Sequence, residues 1–238
     1  MSLLRIENLT ARHGQLQAVR GISLEVSEGE TLALVGANGA GKTTLLRAVA
    51  GAHRPATGRV LLDGADVSAL PAYRRLALGI ALVPEGRRLF ADMTVEENLL
   101  VARAHGRPGP WNIERVLEAF PMLRARIKAK AGSLSGGEQQ ATAIGRALVA
   151  NPRVLLLDEV SLGLAPVAVE RVYECLESLI AGGATIVLVE QDLARARRVA
   201  TRVACMLEGR VVLEGGAAGM TREQVTEAYF GLGRGQPA

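Results

Sequence analysis

Five short stretches of the chain are apolar almost without interruption: 31–35, 80–83, 154–157, 185–189 and 203–207. Runs this uniform predict strands buried on both faces, the situation of a parallel sheet covered by helices. The first thirty residues read differently. There Leu24 and Val26 alternate with Glu25 and Ser27, and Gly14, Gly21 and Gly29 punctuate the pattern, which predicts half-buried strands joined by turns. Glu208 and Gly209 read as a tight turn leading into a strand at 210–213.

Helical spacing takes over elsewhere. Val172, Leu176, Leu179 and Ile180 recur on one helical face, with Pro166 near the start. From 87 to 134 the periods are helical and no strong strand appears. Thr94 to Glu97 forms a capping-box pattern before an apolar stretch, and Asn112 caps a helix whose face is Ile113, Val116, Leu117 and Phe120, stopped by Pro121. Thr221 and Gln224 open one last helix carrying Val225 and Tyr229, followed by a polar tail from Arg234. The expected fold class is α/β: a parallel-sheet core with an N-terminal antiparallel β subdomain and an inserted helical lobe. The whole of 1–238 reads as a single domain without internal repeats, with 1–86 and 135–238 as core and 87–134 as lobe.

Composition narrows the class. With 49% hydrophobic and 22% charged residues the chain reads as an ordinary globular protein, and no apolar run approaches the roughly 18–20 residues that span a bilayer. The acidic, briefly apolar start does not read as a signal peptide, so a cytosolic location is expected. Cys175 and Cys205 lie in apolar-periodic segments without a CxxC, which predicts buried reduced thiols. The net charge of +4 comes from dispersed basic residues with no nucleic-acid-reading motif, and no nucleic-acid partner is expected.

The chemistry begins at Gly36, where GANGAGKT fits GxxxxGK[ST] and stands between a predicted strand and a predicted helix. Gly36, Asn38, Gly39, Ala40 and Gly41 would turn backbone N–H groups onto a polyphosphate, and the helix start adds its positive end. Lys42 would reach the β- and γ-phosphates, the Thr43 hydroxyl would ligate Mg²⁺, and Thr44 would assist. Asp158 and Glu159 close the run 154–157 with two carboxylates at a strand end, where α/β sheets collect ligands. Asp158 suits the metal and Glu159 suits general-base work on the attacking water. ATP and Mg²⁺ are the expected ligands.

Ser135, Gly136, Gly137 and Glu138 form a second phosphate-like helix start. A capping box explains Ser135 and Glu138. It does not explain two glycines in a first turn, each costing about 1 kcal/mol against alanine. Close approach of an anion does explain them, and a second such start suggests a nucleotide held by another copy.

LSGGEQQ between GANGAGKTT and LLLDE resembles the ATP-binding subunit of ABC transporters, across nearly the whole chain. The resemblance implies a P-loop NTPase core and a head-to-tail homo- or heterodimer in which Ser135, Gly136 and Gly137 face the γ-phosphate bound by the partner. The segments VPEGRRLF, MTVEENL, SLGLAP and VEQ, and the ending EAYFG, resemble the shorter of the paired ATPases of branched-chain amino acid importers. That implies two permease subunits, a periplasmic or extracellular binding protein acting indirectly, and a peripheral position on the cytoplasmic face of the inner or plasma membrane. The alternatives are the ATPase of a urea or short-chain amide importer, a soluble ABC protein outside transport, and a nucleotide switch that does not hydrolyse.

Several positions depart from the superfamily pattern. Glu85 stands where a glutamine usually senses Mg²⁺ and the membrane partner, and Gln191 stands where a histidine usually contacts the γ-phosphate. Ala165 replaces an aspartate and Val160 a proline. His13 replaces the aromatic ring that stacks on adenine.

Overall fold

The computed structural model describes residues 2–230, with side chains described as far as Ala228. The tail from Arg234, the Gly231 of the C-terminal motif and the side chain of Tyr229 lie outside this range. The chain divides into two compact units, one holding residues up to Ala69 and from Val187 onward, the other Leu70–Ile186.

The first unit opens with β1 (Ser2–His13) and β2 (Leu16–Ser27), paired antiparallel, followed by β3 (Thr31–Val35) and α1 (Lys42–Val49). β4 (Thr57–Leu62) pairs antiparallel with β1, and β5 (Ala65–Asp66) with β4, giving a sheet in the order β2-β1-β4-β5. This is the antiparallel subdomain the alternating start predicts. Every residue of β3 is buried, as its unbroken apolar run requires.

The second unit begins with α2 (Ala72–Leu78), β6 (Ile80–Val83) and α3 (Val95–Arg103). It continues with α4 (Ile113–Ala119), two short 3₁₀ turns, α5 (Gly136–Val149), β7 (Val154–Asp158) and α6 (Pro166–Ala181). β6 and β7 run parallel in register Ile80↔Val154 through Val83↔Leu157. Both capping patterns read from the sequence form: Thr94 with Glu97, and Asn112 with the Arg115 N–H. Gly145 of α5 supplies a close helix crossing, because a Cβ there would fall 2.6 Å from Val116 and 3.1 Å from Leu99. The segment 87–134 lies within this unit.

β8 (Thr185–Glu190) carries the chain back to the first unit, which ends with α7 (Leu193–Val199), β9 (Arg202–Leu207), β10 (Arg210–Gly216) and α8 (Arg222–Phe230). β3 and β9 are parallel, and β10 folds back antiparallel on β9. Glu208 and Gly209, with φ of 46° and 77°, make the left-handed two-residue turn expected of such a hairpin. Thr221 and Gln224 exchange reciprocal bonds at the start of α8. Ala33, Val35, Val203 and Cys205 form a core with Ala196 of α7 and Val225 of α8. Burial pushes the thiols of Cys205 and Cys175 up to about 11, so both stay protonated at neutral pH.

Candidate nucleotide site

In the first unit a glycine-rich loop joins β3 to α1. Gly41 is the residue before α1, with φ 99°, and a Cβ there would fall 2.1 Å from the Ala18 carbonyl oxygen. No larger residue fits this conformation or this space. No side chain caps α1; α2 and α6 also lack a side-chain cap but start at Pro71 and Pro166, and α3, α4, α5 and α7 each begin with a capping Thr, Asn, Ser or Asp. A helix start left to the backbone suits an anionic ligand. The Gly209 N–H of the β9–β10 turn donates to the Ala40 carbonyl and steadies the loop. Lys42 is 4% exposed, and its ammonium donates to the carbonyls of Gly36 (2.7 Å) and Ala37 (3.0 Å). The His13 ring lies 4.6 Å from that of His53, with Nε2 3.1 Å from the Thr44 hydroxyl, which links the end of β1 to the first turn of α1.

Gln191 follows β8 directly and is exposed. Its N–H donates to the buried Glu190 carboxylate at 2.9 Å, which also accepts from the Asp192 N–H at 3.4 Å. Asp192 in turn caps α7. Glu190 thus holds the turn that presents Gln191, a role the sequence pattern does not signal.

In the second unit Asp158 ends β7 at 1% exposure, and Glu159 follows with a left-handed φ of 49°. A non-glycine residue in that conformation is strained, a condition that clusters at working sites. A proline at 160 would push residue 159 toward extended backbone; Val160, buried at 1%, imposes no such restriction.

Ser135 and Glu138 form the expected capping box at α5. The Ser135 N–H donates to Glu138 Oε2 at 2.8 Å, and Ser135 Oγ accepts from the Glu138 N–H at 3.4 Å. The Ser135 hydroxyl therefore accepts from the Glu138 N–H and itself bonds the Glu138 carboxylate, which ties the cap together. Burial alone would raise the Glu138 carboxyl, but bonds from Ser135 and the Arg126 guanidinium outweigh it and hold it below its ordinary value. This cap is present at neutral pH and is lost as the pH falls through the depressed value. The two glycines have a cause inside the chain as well as the one read from the sequence. A Cβ at Gly137 would stand 3.0 Å from the Ala168 methyl, and one at Gly136 would stand 3.2 Å from Leu164.

Residues 84–94 join β6 to α3. Glu85 is half-buried near their start. Asn98, fully buried, accepts from the Phe90 N–H and donates to the carbonyls of Phe90, Met93 and Thr94. Of the three large apolar residues in the loop, Leu89 and Met93 are half-buried and Phe90 is 50% exposed.

Residues 19–161 match the ABC transporter family. The chain belongs to that family. It is 42% identical to the high-affinity branched-chain amino acid transport ATP-binding protein BraG of Pseudomonas aeruginosa, over 96% of this chain and all of that one. It is 37% identical to a probable branched-chain amino acid transport ATP-binding protein, LivF, of Archaeoglobus fulgidus, over 90% and 92% of the two chains. A dimeric post-hydrolysis structure of an ATP-binding cassette with ADP and phosphate superposes with TM-score 0.79 at 27% identity, covering 91% of this chain and all of that one. This ABC protein therefore binds nucleotide. Among the described residues, no helix is long and apolar enough to cross a membrane.

A glutamine amide can donate a hydrogen bond but carries no charge and shuttles no proton at neutral pH. Gln191→Ala is expected to lower the ATPase rate by about 1–3 kcal/mol of transition-state stabilisation, roughly ten- to a hundredfold, with ATP affinity retained. Steady-state phosphate release together with an ATP titration checks this. A rate equal to that of a variant lacking the general base would overturn the lesser role.

Proposed function

We propose that this ABC protein is the ATP-hydrolysing subunit of an importer for branched-chain or related amino acids. The observation that carries the reading is the 42% identity along the full length of BraG, whose name gives that transport. The partners are a second ATPase subunit, a copy of this chain or a different one, together with two membrane subunits and an external binding protein. Their recruitment makes this subunit peripheral, on the cytoplasmic face of the membrane.

Roles follow from the chemistry of each residue. Lys42 and the backbone of Gly36, Asn38, Gly39, Ala40 and Gly41 bind the phosphates, with Thr44 at their edge and His13 toward the base. Thr43, Asp158 and Glu85 offer hard oxygen donors, the chemistry Mg²⁺ prefers when it shares its coordination with phosphates and water. When bound, Mg²⁺ neutralises charge on the phosphate oxygens. Glu159 accepts the proton of the attacking water, and Gln191 donates to a γ-phosphate oxygen. Ser135, Gly136 and Gly137, held by Glu138, present the start of α5 to the nucleotide on the other ATPase subunit.

Phe90 is the large exposed apolar residue of the loop that starts at Glu85, and it suits a groove receiving a short helix from a membrane subunit. In liposomes reconstituted with both ATPases, both permeases and the binding protein, internal ATP is expected to drive leucine, isoleucine or valine uptake. Phe90→Asp is expected to abolish uptake with basal ATPase activity retained. Uptake of urea in preference to these amino acids would overturn the substrate reading, and parallel loss of folding and ATPase in Phe90→Asp would assign Phe90 to the core.

A further inference from the structure

Two consecutive arginines, Arg87 and Arg88, adopt left-handed backbone with φ of 63° and 48°. Neither is a glycine or an asparagine, so the loop follows this path only where its surroundings enforce it. Local bonds supply part of that: the Arg87 N–H reaches the Pro84 carbonyl at 3.2 Å, and the Arg88 N–H reaches the Gly86 carbonyl at 2.6 Å. The rest comes from one side chain of α5. Arg146 Nη2 donates to the Arg87 carbonyl at 3.0 Å and Nη1 to the Arg88 carbonyl at 2.9 Å, with its guanidinium 6.0 Å from the Phe90 ring centre. Burial lowers the Arg146 pKa, and no carboxylate pairs with it among the described residues. A half-buried guanidinium bonded to two main-chain carbonyls is an arrangement that fixes backbone rather than charge.

The loop answers in the other direction. Arg87 Nη1 donates to Gln139 Oε1 at 2.9 Å, and Gln139 Nε2 donates to the Ala131 carbonyl at 3.2 Å. Arg87 Nη2 stands 3.4 Å from the place a Cβ of Gly136 would occupy. The backbone that Arg146 holds therefore sets where the Arg87 side chain meets the first turn of α5.

We propose that Arg146 is a positioning residue for ATP hydrolysis: it locks the 84–94 loop to the helix that begins at Ser135, so that the two move as one piece. The proposal rests on the reading of Ser135–Gly137 as the half-site for a nucleotide on the second subunit. It adds the linkage by which a change at that half-site reaches Glu85 and Phe90.

Arg146→Ala preserves helix propensity and removes both carbonyl bonds. The expected result is a fall of about tenfold or more in kcat, with ATP affinity within about twofold of wild type, since the phosphate loop is untouched. Arg88→Gly added to Arg146→Ala is expected to recover much of kcat, because glycine holds φ near 48° without the guanidinium. Arg146→Lys is expected to fall between. Amide exchange over 84–94 reads the lock without hydrolysis: it should quicken in Arg146→Ala and slow again in the double variant. Unchanged exchange and kcat in Arg146→Ala overturn the proposal, as does loss of kcat in step with the melting temperature and no recovery from Arg88→Gly. A wild-type protein that released no phosphate would instead strike the ATPase reading, leaving the exchange result to judge the lock.

Discussion

Glu159→Gln is expected to stop ATP turnover while leaving ATP bound. Glutamine keeps the length and shape of the side chain and the same Cβ, so it tolerates the left-handed backbone at 159 as glutamate does. It cannot take a proton from water. Loss of a positioned general base costs about 10²- to 10⁴-fold in rate, or roughly 3–5 kcal/mol of barrier. Nothing in the phosphate loop changes, so the ATP titration should be close to wild type. A turnover within tenfold of wild type would remove Glu159 from the role of base and send the search to another group at the end of β7.

Lys42→Ala is expected to act earlier, on binding itself. The ammonium is almost fully buried and donates to the carbonyls of Gly36 and Ala37, so its charge sits inside the loop. A charged donor shared between loop carbonyls and phosphate oxygens contributes about 1.5–3 kcal/mol per bond, so its loss should weaken ATP by about a hundredfold or more. Calorimetric titration with MgATP measures this directly. Affinity within about fivefold of wild type would mean that the backbone N–H groups carry the phosphates alone.

The apolar runs were legible because a strand buried on both faces has no alternation to misread. β3, β6, β7, β8 and β9 fall on them within a residue or two. β4 was not legible, since its first three residues, Thr57, Gly58 and Arg59, are exposed and only Val60 to Leu62 turn inward. α7 was hidden for a related reason: three arginines occupy its seven residues, and Ala196 and Val199 alone are buried. α2 carries its start signal at Pro71, but its one fully buried side chain is Arg75, which a search for apolar periodicity passes over.

Among the site residues, the phosphate loop announced itself because its geometry demands glycine at positions such as Gly41, where no other residue fits. The signature glycines were readable as an exception to helix propensity, though part of their cause is packing against Leu164 and Ala168 rather than a ligand. Asn98, Glu190 and Arg146 stayed silent. Each acts by bonding main-chain groups of a loop distant in sequence or of an irregular turn, and neither spacing nor composition encodes that partner.

A nucleotide site completed by a second ATPase subunit makes hydrolysis depend on assembly. The most direct measurement is specific ATPase activity of the purified chain as a function of its own concentration at saturating MgATP. Because Lys42 and Ser135 would serve different nucleotides, activity per molecule should rise with concentration and level off once dimers dominate. A constant, non-zero specific activity across the whole dilution series would contradict the composite site.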